Sequence, residues 1–178
     1  LEAALPGFED GLAAAVLALL EANAKPRFWT PSHLRIARLL ADAAGDADAF
    51  IRAVPAALQT TPAAGAEIAR RLLTAGRVEE ALAALMASDP RAPRSKPAFG
   101  KPAPAAATDE AWESAYIEAL ERSGEGERAQ AARRAAFELT LSAQRLRDYV
   151  KGLPDFDDVV ATDELLAYAH GHKDAAAA

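Results

Sequence analysis

Three carboxylates lie close together near the end of the chain, at Asp155, Asp157 and Asp158. Oxygen ligands of this kind hold Mg²⁺ or Ca²⁺ in proteins, so the segment is a candidate metal site, and a metal-dependent enzyme is one interpretation. The same acids directly precede a helical pattern, where carboxylates cap free backbone N–H groups and meet the positive end of the helix dipole. No glycine or distal glutamate completes an EF-hand spacing. We therefore favour the capping role and predict no bound metal or other cofactor.

Basic side chains form the second candidate site. They lie on two consecutive predicted helices, at Arg133, Arg134, Arg145 and Arg147, and such a group could follow a phosphate backbone. However, residues 108–178 carry 15 acidic against 8 basic side chains, a net charge of −7. The favoured interpretation is a solvated helix face whose arginines pair with neighbouring acids. Nucleic-acid binding through these arginines remains the alternative.

Several other function classes find no support in the composition. The absence of cysteine excludes disulfides, thiolate catalysis and cysteine-ligated zinc, and the net charge of −6 argues against nucleic-acid or anionic-membrane partners. No apolar run approaches the ~18 residues of a membrane span. We predict a soluble, cytoplasmic protein that is not an enzyme. Its ends, at Leu1 and after Lys173, predict a fragment of a longer chain.

Any such site must be positioned by helices. Hydrophobic residues make up 51% of the chain but aromatic residues only 6%, because alanine, the strongest helix former, supplies much of the apolar fraction. Helix starts are marked by Thr30-Pro31 and Thr61-Pro62, and by possible caps at Asp46 and Ser142. No period-two pattern predicts a strand. The sequence predicts an all-α protein of eight or nine helices.

An internal repeat organises these helices. Ile36-Ala37-Arg38 leads to Gly45, and Ile68-Ala69-Arg70 leads to Gly76. A third unit, Ile117 to Gly124, follows after a longer gap. Each unit predicts a helix, a tight glycine turn and an antiparallel second helix, on which a small residue allows close packing; these residues are Ala49, Ala81 and Ala129. One hairpin cannot bury its own apolar face, so several must stack.

The repeat and a change of composition divide the chain into three parts. Residues 1–87 form N-terminal helical hairpins, and residues 108–178 form C-terminal hairpins that we expect to be truncated. Between them, residues 88–107 hold five prolines and four basic residues against one acid. Such a segment cannot sustain a helix and has little to bury, so we predict a disordered basic linker or loop.

Two resemblances follow from these residues. The segment Gly76 to Leu82, followed by Asp89-Pro90, resembles the turn and second helix of a tetratricopeptide repeat, although the repeat is about one helical turn shorter. This resemblance implies a tetratricopeptide-like α-solenoid of stacked antiparallel hairpins.

The second resemblance covers roughly the last 65 residues, and Ile68–Leu85 more loosely. It is carried by Leu141-Ser142, by Leu146-Arg147 with Tyr149, and by the run Leu153-Pro154-Asp155-Phe156-Asp157-Asp158. This part resembles an uncharacterised family of bacterial all-helical proteins whose domain has no known function. Membership would imply the helical fold and a longer parent chain, but no activity.

The sequence therefore predicts a protein-interaction scaffold or structural helical-repeat module. Its partner would be a peptide or helix of another protein, or a second copy, received on a curved surface. This prediction rests on an analogy of fold, because no set of residues forms an active site.

Overall fold

A computed structural model describes residues 11–23, 29–92, 109–154 and 157–172 of the 178-residue chain. The described residues form helices and connecting turns, with no strand among them, which confirms the all-α prediction. Two compact units are present, Leu1–Asp89 and Pro90–Ala178. Most of the predicted linker, residues 93–107, lies outside the described residues.

The N-terminal unit contains six described helices. They are α1 (Leu12–Asn23), α2 (Pro31–Ala44), α3 (Ala47–Ala53), α4 (Ala56–Gln59), α5 (Pro62–Thr74) and α6 (Val78–Ala87). The C-terminal unit contains four, which are α7 (Glu110–Arg122), α8 (Gly126–Thr140), α9 (Ala143–Lys151) and α10 (Asp157–Gly171). The count of ten described helices exceeds the expected eight or nine, because Pro55 separates α3 from the short α4.

Side-chain caps fix where these helices begin. Thr30 accepts a hydrogen bond from the backbone N–H of His33 at the start of α2, and Asp46 accepts one from Ala49 at 2.9 Å at the start of α3. Ser142 caps α9 in the same way. Each cap satisfies a backbone donor that has no partner within its own helix, so the sequence predictions for these three starts are confirmed.

The three repeat glycines form the same turn. Gly45, Gly76 and Gly124 have φ of 66°, 75° and 80°, and the residue after each donates its backbone N–H to a carbonyl five residues back, at 2.8–2.9 Å. This is the Schellman motif, in which a left-handed residue ends one helix. The turn makes hairpins of α2 with α3, α5 with α6, and α7 with α8.

Small residues let the two helices of each hairpin approach closely. The repeat alanines Ala49, Ala81 and Ala129 are all buried, at 2% exposure or less. Larger apolar side chains fill the space around them. In the N-terminal unit these include Phe50, Leu72, Leu73 and Leu85, and in the C-terminal unit Trp112, Leu120, Phe137 and Leu165.

The turn after α7 offers a matched test of this geometry. We expect Gly124→Ala to lower the free energy of unfolding by about 1 kcal/mol, because a Cβ at φ 80° is strained. Gly126→Ala, two residues on, should be neutral or stabilising by up to about 1 kcal/mol, since its Cβ would meet no atom within 4 Å. Urea denaturation followed by circular dichroism measures both. Equal effects of the two substitutions would contradict the left-handed turn.

Candidate functional site

The two candidate arginines of α8 are held by acids of their own unit. Arg133 is largely buried, forms an ion pair with Glu121 of α7, and donates from Nη1 to Gln130 Oε1 at 2.8 Å. Arg134 donates from Nε to Glu138 Oε1 at 2.8 Å, one turn along the same helix. The hydrogen bond with Glu138 raises the pKa of Arg134. Both guanidinium groups are thus engaged within the protein.

The two candidate arginines of α9 differ in burial. Arg145 is 8% exposed and donates from Nη2 to Glu113 Oε2 of α7 at 3.1 Å, with Glu110 Oε1 at 3.9 Å. Arg147 is exposed and donates from Nη1 to Gln144 Oε1 at 3.0 Å. The structure therefore brings Arg145 and Arg133 into contact with α7. Arg134 and Arg147 hydrogen-bond to side chains of their own helices, and Arg134 also interacts with Tyr149 of α9.

The Arg145–Glu113 pair joins α9 to α7 in a site where charge is costly. Burial raises the pKa of the Glu113 carboxyl, and attraction to Arg145 and Arg91 offsets this only in part. Removing either partner alone leaves a poorly solvated charge. Without Arg145, the half-buried carboxylate of Glu113 loses the cation that pairs with it.

The raised pKa of Glu113 predicts a pH-dependent stability. In the folded state the Glu113 carboxyl binds its proton at pH values above the ordinary glutamate pKa of 4.5. Ionised Glu113 therefore destabilises the folded state fully at pH values above its raised pKa. This destabilisation decreases as the pH falls through the raised pKa and the ordinary glutamate range, because the carboxyl becomes protonated. We expect the unfolding free energy of the unaltered protein to rise on acidification relative to Glu113→Gln. Urea midpoints between about pH 7 and pH 4 measure this difference, and a constant difference would contradict the prediction.

A cleft of about 390 Å³ opens beside these pairs. Helices α7 and α9 each pack against α8, and side chains of all three line the cleft; its lining is Ser114, Ile117, Glu118, Glu121, Arg133, Arg145, Asp148, Lys151 and Gly152. The volume is within the range of ligand sites. The charged lining of both signs favours a polar occupant.

A hydrogen-bonded network holds α8 against the end of α9. Gln130 donates from Nε2 to the backbone oxygen of Tyr149 at 2.9 Å, and the same side chain accepts from Arg133. A Cβ built on Gly152 would lie 2.5 Å from Gln130 Oε1. Gly152 therefore permits the close approach that places Asp148 and Lys151 at the cleft.

Sequence reasoning identified Arg133 and Arg145 but missed their partners Glu113 and Glu121. A spacing signal was available. Glu113 and Arg145 lie 32 residues apart, and in the N-terminal unit the ion pairs Asp42–Arg71 and Asp48–Arg77 each span 29 residues. Acids thus pair with arginines about one repeat later in the chain. A search for opposite charges at the repeat spacing would have found the Glu113–Arg145 pair.

Two of the three candidate aspartates lie within the described residues. Asp155 lies outside the described residues, and Asp157 and Asp158 occupy the first turn of α10. Asp158 Oδ1 accepts the backbone N–H of Val159 at 2.8 Å. Within the described part of the chain, no group of three or more His, Cys, Asp or Glu side chains could hold a metal ion.

If these acids cap α10, their removal should lower the stability of the fold and leave metal binding unchanged. We expect Asp157→Ala combined with Asp158→Ala to lower the unfolding free energy by about 1 kcal/mol, because two carboxylates leave the positive end of α10. Isothermal titration with Mg²⁺ and with Ca²⁺ should give the same heats before and after substitution. Binding heats that disappear in the double variant would support the metal site instead.

Comparison with protein families places this helical chain. The sequence profile of a family of unknown function (DUF6880) matches residues 14–178. The chain belongs to the DUF6880 family. The resemblance to an uncharacterised helical family is thereby confirmed, and the match extends well beyond the last 65 residues. No match to the chain exists among curated proteins or among solved structures at a significant level.

The DUF6880 match includes both helical units. The three glycine turns and all nine residues that line the cleft lie within residues 14–178. In the described part of this DUF6880 chain, no helix is long and apolar enough to cross a membrane.

Proposed function

We propose that this DUF6880 chain is a non-enzymatic, cytoplasmic binding module that holds a segment of a partner protein in the cleft between α7, α8 and α9. The observation that carries the proposal is the cleft itself, a concave surface lined by three helices with charges of both signs. Helical hairpins supply a rigid frame for such a surface, because α7 and α9 begin at side-chain caps and both pack against α8.

We also propose that the hairpins stack as a tetratricopeptide-like α-solenoid. Within the N-terminal unit, the same Schellman turn closes the hairpins α2–α3 and α5–α6. Two ion pairs then join one hairpin to the next, Asp42 with Arg71 at 2.6 Å and Asp48 with Arg77 at 2.8 Å. The Arg71 guanidinium also lies 3.6 Å from the centre of the Phe50 ring. Repeated contacts between neighbouring hairpins are what a solenoid requires.

A site-directed cross-link tests the binding module. A photo-reactive amino acid replaces Ser114, which lines the cleft, or Ala131, an exposed position of α8 outside the lining. In extracts of the source organism we expect a discrete protein adduct from position 114 only. Lys151→Glu should weaken that adduct, because it reverses a charge of the cleft. Identical adducts from both positions, or an adduct indifferent to Lys151→Glu, would contradict the proposal.

Nucleic-acid binding and a metal-dependent enzyme stay predictions from the sequence. Nucleic-acid binding would need free cations, whereas Arg133, Arg134 and Arg145 each hold an ion pair with a glutamate of the protein. A linear fall of log affinity with log salt concentration, lost on replacing Arg147, would favour it. A metal-dependent enzyme would need Asp157 and Asp158 as ligands, which the titrations with Mg²⁺ and Ca²⁺ test.

A further inference from the structure

The outward face of α1 is apolar and uncovered. α1 buries Ala13 and Leu17 on one side, and only one of its 12 residues is charged. The large side chains of Leu12, Val16 and Leu19 on the other side are exposed, and their spacing of four and three residues places them in one stripe. A helix that is apolar all round is normally buried. This stripe therefore lacks its cover among the described residues.

Comparison with α6 shows which element is missing. Both helices begin with a hydrogen bond to the carbonyl four residues earlier, donated by Ala15 in α1 and by Ala81 in α6. When the helices are aligned by this bond, Leu19 of α1 corresponds to Leu85 of α6. Ala81 and Leu85 are fully buried where α6 packs on α5, whereas Ala15 is exposed and Leu19 is 62% exposed. α1 thus presents to solvent the side that α6 presents to the first helix of its hairpin.

An exposed edge of α2, the helix on which α1 packs, is apolar as well. The cap residues of α2 and α5 lie 31 residues apart, so Ile36 and Leu39 of α2 correspond to Glu67 and Arg70 of α5. The two α5 positions carry charges, as expected of a surface that stays in water, whereas Ile36 is 46% exposed. We call the exposed apolar residues of both helices the α1–α2 face; they are Leu12, Ala15, Val16, Leu19, Ile36 and Leu39.

The two parts of the α1–α2 face lie where one preceding helix would cover both. The ion pair between Asp42 and Arg71, at 2.6 Å, shows where α2 meets the first helix of the next hairpin. Ile36 lies six residues before Asp42, which places it about 120° around α2. Ile36 therefore points away from α5, to the side on which the first helix of a preceding hairpin would lie.

The segment directly before Gly11 is the candidate for this cover. In the hairpins α2–α3, α5–α6 and α7–α8, the helix that covers the second helix is the segment directly before the glycine turn. Gly11 precedes α1 and has φ of 96°, again in the left-handed region. Ten residues precede Gly11; they reach about 15 Å as a helix and up to about 33 Å when extended, against about 18 Å for α1. The segment is long enough to run along most of α1.

The composition of the ten residues before Gly11 matches the α1–α2 face. Leu1, Leu5 and Phe8 are spaced four and three residues apart, like the stripe of α1. The charged residues of the segment are all acidic; they are Glu2, Glu9 and Asp10. On α2, Arg35 lies one turn before Leu39, is exposed, and forms no ion pair with a described residue. The segment thus supplies both apolar side chains for the face and opposite charge for the cation beside it.

We infer that residues 1–10, which lie outside the described residues, cover the α1–α2 face and complete a hairpin with α1. Leu5 and Phe8 contact the stripe of α1, antiparallel to it, and the acids face solvent and Arg35. The segment thereby closes one end of the N-terminal unit, as the terminal repeats of a helical array require. This inference does not depend on the cleft between α7, α8 and α9.

Disulfide trapping tests the inference, and the absence of native cysteine makes every cross-link assignable. In the full chain, Leu5→Cys with Leu19→Cys should close an intramolecular disulfide at least about tenfold faster than Leu5→Cys with Ala14→Cys. Ala14 is exposed but lies on another side of α1. It is also nearer to Leu5 in sequence, so a segment without a fixed position would close the control pair first. Peptide mapping during mild oxidation measures both rates.

Thiol accessibility supplies a second measurement that needs no cross-link. The thiol of Leu19→Cys alone should react with a soluble aromatic disulfide reagent about tenfold faster when Leu5→Asp and Phe8→Asp are also present, because a charged segment leaves an apolar face. The thiol of Ala14→Cys should react at the same rate in both backgrounds. Circular dichroism of each variant verifies that the helices are retained.

The outcomes separate three occupants of the α1–α2 face. Faster closure of the Leu5→Cys, Leu19→Cys pair, together with release of position 19 by the two aspartates, supports residues 1–10. Equal closure rates of the two cysteine pairs, or a Leu19→Cys thiol that is indifferent to the aspartates, would overturn the inference. Protection of this thiol only at high protein concentration would assign the face to a second copy, and protection only in a cell extract would assign it to another protein. Either result also overturns the inference.

Discussion

Arg145→Met is expected to lower the free energy of unfolding of the C-terminal unit by about 3 kcal/mol. The side chain of Arg145 is 10% exposed and that of Glu113 is 15% exposed, so the substitution leaves a carboxylate without its nearest cation in a site that already disfavours charge. Methionine retains the length of the aliphatic stem, which limits the loss of packing. The effect should therefore come from the unpaired acid.

The measurement uses the distribution of the two tryptophans, Trp29 in the N-terminal unit and Trp112 in the C-terminal unit. In a Trp29→Phe background, the fluorescence of the buried Trp112 reports urea unfolding of the C-terminal unit alone. Glu113→Gln added to Arg145→Met should recover much of the loss, because no unpaired charge then remains.

Arg134→Met is the matched control for Arg145→Met. It breaks an exposed ion pair with Glu138, in which the arginine side chain is 48% exposed, and should cost no more than about 0.5 kcal/mol. Similar losses for Arg134→Met and Arg145→Met, or no recovery in the Glu113→Gln double variant, would contradict the role assigned to burial.

Gly65→Ala is expected to destabilise the N-terminal unit by about 2 kcal/mol, although alanine is the better helix former. A Cβ at this position of α5 would lie 1.8 Å from Ser88 Oγ and 2.5 Å from Ser88 Cβ. Ser88 is 1% exposed, and its hydroxyl donates to Ala84 O at 2.8 Å at the end of α6. The helices must separate or the serine must leave its hydrogen bond.

Fluorescence of Trp29 in a Trp112→Phe background measures the Gly65→Ala effect during urea unfolding. Ser88→Gly combined with Gly65→Ala should cost less than the sum of the two single changes, because removal of the serine side chain relieves the contact. Glu67→Ala, at an exposed position of the same helix, should change stability by no more than about 0.5 kcal/mol. Additive effects of Gly65→Ala and Ser88→Gly would contradict the close approach of α5 and α6.

Helix ends were predictable because they depend on a few adjacent residues. Thr30, Asp46 and Ser142 cap the helices that follow them, and each needs only a side-chain oxygen near free backbone N–H groups. The left-handed turns at Gly45, Gly76 and Gly124 were equally accessible, because glycine alone adopts positive φ without strain.

Two other local features of α8 and α10 could not be predicted from adjacent residues. Thr162 could have begun a new helix, but its hydroxyl donates to the Asp158 carbonyl at 2.6 Å, and α10 continues through it. Leu141 ends α8 with φ 51°, a conformation that its side chain does not favour and its sequence does not signal.

The sequence by itself determined the all-α class, the main helix starts, the repeated hairpin turn and the likeness to an uncharacterised family. Each depends on neighbours in the chain or on a periodic pattern of apolar residues. Only the tertiary structure decided that Arg145 is buried against Glu113, that Gly65 contacts Ser88, and that Asp148 and Lys151 face the cleft without an ionic partner among the described residues. Burial and charge pairing join residues that are distant in sequence, so they depend on how the helices pack and not on local propensity.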